Sequence, residues 1–212
     1  MRFGKWIRGL QRKGIVKEIR YIRRRDKGIL TIEELEAQQY NHLPHYRRGR
    51  SFEEINKDAL KVGLDLRGII DKKLGQKKTI AVLDAGCGNK NTLSDINRLF
   101  GERVKTEGIS LSFLKGKPEF NSIDKYHVGL FEKHKFDNKF DLVYSIQGTT
   151  YNSDRPIAQL RKVLEILSPE GEAVLDFYSG PISDSKIRRF LKNNKINFEL
   201  RNIENKVFVH IF

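Results

Sequence analysis

The sequence holds a single cysteine, Cys87. No intramolecular disulfide or cysteine-rich zinc site can form from it, and a reducing compartment, the cytoplasm, is the expected one. Long apolar runs are also missing. The longest uncharged apolar stretches, such as 79–83 and 173–175, fall far short of the ~18 residues that a membrane-spanning helix needs. Charged residues interrupt the first thirty positions every few residues, so no secretory leader is expected. Serine and threonine are absent before Thr31, which argues against an organellar presequence. No His, Cys, Asp or Glu group has the spacing of metal ligands, and no metal is expected.

What is present suffices for one core. Of 212 residues, 38% are apolar and 10% aromatic, while 32% are charged; such a chain folds, with a well-wetted surface. Its length suits one domain with a flanking extension, and the boundary is placed between 1–50 and 51–212.

The charge is unevenly spread. The whole chain carries +14. Residues 1–27 hold eleven Lys or Arg against Glu18 and Asp26, a net +9, and the remaining sequence has 30 basic and 25 acidic residues. Within this arm Phe3, Trp6, Ile7, Leu10, Ile15, Ile19 and Ile22 recur at helical spacing, interrupted by Gly4, Gly9 and Gly14, so a broken amphipathic helix is expected. Three roles stay open for it: docking on the protein's own core, contact with an anionic membrane surface, or contact with nucleic acid. Arg20, Arg23, Arg24, Arg25 and Lys27, with a second cluster at Arg47, Arg48 and Arg50, suit the phosphates of RNA or another polyanion.

Thr31 and Glu34 form a capping box for a helix over 32–40, and Ser51 and Glu54 form another for a long helix reaching Leu74. Strands and helices then alternate. Strands are expected at 79–84, 104–109, 126–128, 140–145 and 173–177, with helices at 91–100, 157–167 and 185–192. This order makes a parallel sheet covered by helices. Strands at 197–202 and 206–212, joined by a turn at 204–205, give it an antiparallel ending.

The most informative stretch is 81–90, AVLDAGCGNK, in which an apolar strand meets an Asp-x-Gly-x-Gly turn and then a helix. In doubly wound sheets this loop lies where ligands bind, and its glycines let backbone approach them closely. The dinucleotide pattern G-x-G-x-x-G fails at Asn91. Asp84, two residues before the first glycine, suits a cationic or hydroxylated ligand.

Together with three later segments this loop resembles the class I S-adenosylmethionine-dependent methyltransferases. VLDAGCGNK (82–90) is similar to their first motif and VKTEGISLS (104–112) to the end of their second strand. KFDLVYSIQGTTY (139–151) resembles the fourth-strand motif, and AQLRKVLEILSPEGEAVLDF (158–177) the helix, turn and fifth strand that follow. The resemblance covers 52–212. It implies a Rossmann-like α/β sheet of seven strands, mostly parallel with an antiparallel C-terminal strand, preceded by the basic helical extension.

It also implies S-adenosylmethionine as cofactor. Asp84, Ala85, Gly86, Cys87, Gly88 and Asn89 would hold the methionine end. Ser110 and Leu111 would follow the second strand at the ribose, Leu130 and Phe131 the third strand at the adenine. Ser145, Ile146 and Gln147 would flank the reactive side. Three positions depart from the family: the third loop glycine is Lys90, the ribose-binding acid is Ser110 and the adenine-binding acid is Leu130, with Glu107 and Glu132 the nearby acids.

Methyl transfer rests mainly on alignment of nucleophile and methyl group, so no catalytic residue is assigned. Ser145 to Gly148 lack the Asn/Asp-Pro-Pro-aromatic pattern of exocyclic-amine methylases of bases. Cys87 reads as a small packed residue rather than a nucleophile. His127 reads as structural, while His42, His45, Tyr151 and Tyr178 are candidates near the ligand edge. The expected activity is methyl transfer to RNA or an RNA-associated acceptor; the other reading is an inactive relative that binds RNA or a protein partner.

Overall fold

The computed structural model describes residues 50–88, 91–110, 123–151, 155–178, 184–204 and 206–212. The basic arm, the expected helix at 32–40, Arg47, Arg48, His42 and His45 lie outside them.

The Ser51–Glu54 capping box forms as expected: Ser51 Oγ accepts from the Glu54 amide at 3.2 Å, and the Glu54 carboxylate accepts from the Ser51 amide at 2.9 Å. The helix it starts, α1 (Phe52–Leu60), is shorter than expected, because the segment up to Leu74 divides into α1 and α2 (Leu66–Gln76). The break is built by side chains. Gly63 turns in the left-handed region at φ +68, Asp65 caps α2 through the Arg67 amide, and Asn56 Oδ1 accepts from the Leu66 amide at 2.7 Å.

Strand β1 (Ile80–Ala85), α3 (Asn91–Phe100), β2 (Val104–Ser110), β3 (Lys125–Val128), β4 (Phe140–Ser145) and α4 (Pro156–Ile166) follow. Strand β5 (Leu167–Tyr178), α5 (Asp184–Asn193), β6 (Phe198–Ile203) and β7 (Lys206–Ile211) complete the domain. The sheet order is β3-β2-β1-β4-β5-β7-β6. Strand β7 alone runs against the rest: it pairs antiparallel with both β5 and β6.

Strand β5 begins earlier than the expected Ala173. Phe140 pairs with Leu167 and Leu142 with Glu172, so the Ser168-Pro169-Glu170-Gly171 turn is an irregularity inside the strand. Gly171 is needed there, since a Cβ would stand 2.7 Å from the Phe140 carbonyl.

Alternate residues of the strands feed two cores. Val82, Leu142, Tyr144, Val174 and Phe208 pack with Phe52, Ile55, Leu66, Ile70 and Ile96 of α1 to α3. Leu83, Val143, Leu175, Phe177 and Val209 pack with Leu160, Val163, Ile187 and Leu191 of α4 and α5. Each fully buried aliphatic or aromatic side chain contributes about 1.5–3 kcal/mol.

Ion pairs stitch the edge where β1 and β4 begin. Asp141 accepts from Lys77 Nζ at 2.6 Å, the Ala81 amide at 2.9 Å and Ser168 Oγ at 3.0 Å. Burial pushes its carboxyl up, and these donors outweigh that and hold it below the usual range. Glu172 is drawn down to about 2, first by the His210 hydrogen bond at 2.9 Å and further by Lys73 and Lys72.

Candidate functional site

Hydropathy alternation decides what points where. Asp84, Tyr144 and Asp176 share strand parity with Val82, Leu142 and Val174, so all three project from the face covered by α1, near the carboxyl ends of their strands. Asp84 is buried and accepts a 3.0 Å hydrogen bond from the Tyr144 hydroxyl. Burial raises its carboxyl to about 7, against the Tyr144 hydrogen bond and the Arg50 charge, which favour the ionised form. The Tyr144 phenol is raised well above its ordinary value by burial and by Asp84.

The glycine loop is fixed by its neighbours. The Gly86 and Cys87 amides both donate to the Ile109 carbonyl, at 2.8 and 3.2 Å. Ala85 O accepts from Ser145 Oγ at 2.6 Å and from the Thr149 amide at 3.0 Å. Gly86, at φ +111, has no room for a Cβ, which would lie 2.5 Å from Thr149 N and 2.6 Å from Gly148 Cα. Its bare face is therefore taken up by the loop after β4. Gly88 differs: at φ +50 its Cβ position meets nothing within 4 Å among the described residues, and that open face is where a ligand can lie against backbone. Cys87 is buried, its sulfur packed where Gly108 leaves space. Asn89, Lys90 and Leu111 lie outside the described residues.

The remaining expected residues divide by position. Ser110 is buried at the end of β2, its carbonyl accepting from the Gly129 amide at 2.9 Å. Leu130, next in sequence after Gly129, is buried, while Phe131 packs in the core under α4. Ser145 is buried and pins β4 to β1. Ile146 is buried in the opposite core, and Gln147 is exposed in the left-handed region at φ +53. Glu107 and Glu132 are engaged elsewhere. Glu107 accepts from Asn138 Nδ2 and bonds His127 Nε2, both at 2.7 Å, and Glu132 accepts from Gln159 at 2.9 Å. His127 thus joins β2 to β3, its ring tilted against that of His134 with centroids 4.4 Å apart.

Three site residues were not legible as such in sequence. Arg50, assigned above to polyanion contact, enters the domain here. Its guanidinium donates to the Ile146 carbonyl and pairs with Asp58 at 3.2 Å, and its own carbonyl accepts from Thr92 Oγ1 at 2.9 Å. Asp176 is fully buried; its Oδ1 accepts from the Gln147 amide at 2.8 Å, while Oδ2 has no hydrogen-bond donor among the described residues. Lys206 Nζ lies 3.8 Å from Oδ2 and 5.5 Å from the Tyr151 ring centroid. Burial pushes the Asp176 carboxyl up to about 6, and Lys206, the Gln147 amide and Arg50 pull against it. The only sequence signal for Asp176 was an acid at the end of an otherwise apolar strand.

The donor set suits an amino acid zwitterion: a carboxylate at the end of β1 for an ammonium group, a guanidinium nearby for a carboxylate, and a glycine left open between strand and helix. Among the described residues, no group of three or more His, Cys, Asp or Glu could hold a metal ion. No described helix is long and apolar enough to cross a membrane.

No protein-family model matches the sequence, and no curated protein matches it. Solved structures do. A TehB-like SAM-dependent methyltransferase from Corynebacterium glutamicum superposes with a TM-score of 0.50 at 16% identity, covering 80% of this chain and 97% of that one. The glycopeptide N-methyltransferase MtfA, complexed with sinefungin, superposes with a TM-score of 0.52 at 11% identity, covering 82% of this chain and 89% of that one. Seven strands in the order described, with β7 alone reversed, give this chain the fold of the class I S-adenosylmethionine-dependent methyltransferases.

Proposed function

We propose that this protein binds S-adenosylmethionine and transfers its methyl group to an RNA or RNA-associated acceptor. The observation that carries the cofactor reading is the Asp84 carboxylate with the Arg50 guanidinium in reach of its field, beside the open Gly88. When bound, the cofactor supplies an electrophilic methyl on a sulfonium sulfur. Asp84 would hold its ammonium group, Arg50 its carboxylate, and the backbone at Gly88 would let it lie close.

The protein's own part in the reaction is to orient. Gln147 and Asp176 stand beyond β4 on the acceptor side. Asp176 Oδ2, ion-paired with Lys206 but accepting no hydrogen bond among the described residues, is suited to hold an acceptor N–H or O–H and to take its proton, with Lys206 favouring the ionised form. The RNA part of the reading is supported by the +9 carried on residues 1–27 and by Arg47 and Arg48, which lead directly into Arg50 at the edge of the site.

Calorimetric titration of the full chain with S-adenosylmethionine and S-adenosylhomocysteine tests the cofactor reading. Binding tighter than about millimolar, abolished by Asp84→Ala, is expected. Absence of binding to either would overturn it and leave a fold used only for binding. Incubation with methyl-labelled cofactor and cellular RNA or protein fractions then tests the acceptor; label confined to small molecules would refute RNA.

A further inference from the structure

We propose that the outward face of α5 is a second binding surface, for the phosphate backbone of a nucleic acid. Residues 184–195 carry Lys186, Arg188, Arg189, Lys192 and Lys195 against Asp184 alone. The rest of the sequence from residue 50 onward has 23 basic and 21 acidic residues, so this one segment holds four of the six excess positive charges there. Elsewhere the surface is balanced.

The helix is built to leave these charges available. Ile187 and Leu191 are buried in the core under α4, which turns Lys186, Arg188, Arg189 and Lys192 to the exposed side. Among the described residues none of these four, nor Lys195 or Arg161, has a carboxylate within ion-pair distance. Many of the domain's other cations are paired, among them Lys72, Lys73, Lys77, Lys105, Lys125 and Lys162, whereas α5 gathers its uncompensated charges on one helix. Two guanidiniums lie over aromatic rings, Arg188 at 6.0 Å from the Phe198 centroid and Arg161 at 5.9 Å from that of Phe190. Rings hold a guanidinium in place without neutralising it, which lowers the ordering cost of a later phosphate contact.

Lys186, Arg189 and Lys192 recur every third residue, which on a helix places neighbouring side chains about 5–6 Å apart. Such a row suits a polymer with regularly repeated negative charge. A lipid surface fits less well, because an interfacial helix needs an apolar face for the bilayer, and the apolar residues of α5 are spent on the core. The exposed large hydrophobics, Leu60, Leu99 and Phe212, are on other elements. Since α5 follows β5, its first turn lies toward the carboxyl edge of the sheet, so a strand held along it reaches the edge that carries Asp84 and Asp176. The surface itself does not depend on methyl transfer.

The test uses the full chain, a labelled short oligouridylate and fluorescence anisotropy between about 50 and 200 mM salt. In Lys186→Gln/Arg189→Gln/Lys192→Gln, the slope of log affinity against log salt should become shallower by about 2, at ~0.7 per phosphate for a single strand. Affinity at the lowest salt should fall by about tenfold or more. Lys186→Gln/Lys192→Gln repeats the measurement with a smaller change should the triple variant not fold. An unchanged slope in a folded variant overturns the proposal. So does equal competition by polyglutamate, or loss of binding to anionic phosphatidylserine vesicles with RNA binding intact, which would make the partner an acidic protein or a membrane.

Discussion

Replacing Asp84 with Asn should separate stability from ligand binding. Asp84 ionises near pH 7 in the folded protein instead of at 3.8, because burial opposes its charge more than Tyr144 and Arg50 support it. Between about pH 4 and 7 the folded chain therefore keeps a proton that the unfolded chain has lost. Its contribution to stability declines as pH rises through that window and is flat above it. The gap of roughly 3 units corresponds to ~4 kcal/mol of cost once the group is fully ionised, at 1.36 kcal/mol per unit. Asparagine keeps an oxygen for the Tyr144 hydroxyl but buries an NH2 group, which costs about 1–3 kcal/mol if unpaired. Asp84→Asn should thus gain about 1–3 kcal/mol in urea denaturation at pH 8 and lose about 1–3 kcal/mol at pH 4, where the carboxyl is already protonated. In the same variant the affinity for S-adenosylmethionine should fall about 10–100-fold, the worth of a charge-assisted hydrogen bond. Destabilisation at pH 8, or unchanged affinity, would refute the reasoning.

The two loop glycines should behave oppositely. Gly86→Ala drives a Cβ into the Gly148–Thr149 backbone and should cost about 3–5 kcal/mol by thermal unfolding. Gly88→Ala should cost only the ~1–2 kcal/mol of left-handed strain while blocking cofactor in calorimetry; equal stability losses would contradict the geometry. Asp141→Ala leaves the partly buried Ala81 amide and Lys77 without their acceptor and should lose about 1–3 kcal/mol without changing cofactor affinity. Glu172, ordinarily ionising at 4.5, is held at about 2, so it stabilises above that ordinary value and the benefit disappears as pH falls toward 2. Glu172→Gln should flatten the acid limb of the stability curve, and an unaltered limb would exclude this group as its source.

Sequence was most legible where local pattern and tertiary demand agree. Strands such as β4 and β1 are apolar runs bounded by turn residues, and the glycine loop sits between strand and helix. The break between α1 and α2 was hidden because Val62 and Leu64 keep an apolar rhythm through the turn, so periodicity continues where the backbone does not. The start of β5 was hidden by Pro169 and Gly171, which read as a turn although Leu167 pairs with Phe140. In the site, Asp84 and its loop were legible because they are contiguous. Arg50 was not, since it meets Ile146 across 96 positions. Asp176 likewise reaches Gln147 across 29, a meeting made only by strand order.

The contact between Gly86 and Gly148–Thr149 has a mechanical consequence. With no side chain between them, and with Ala85 O holding both Ser145 and Thr149, the loops after β1 and β4 cannot tilt separately. Under the proposed function, whatever seats the donor beside Gly88 and whatever presents the acceptor near Gln147 would therefore share one rigid mount. In that reading, alignment of the two reacting partners would be set by backbone rather than by adjustable side chains. Tolerance for different acceptors would then reside in the elements around this mount.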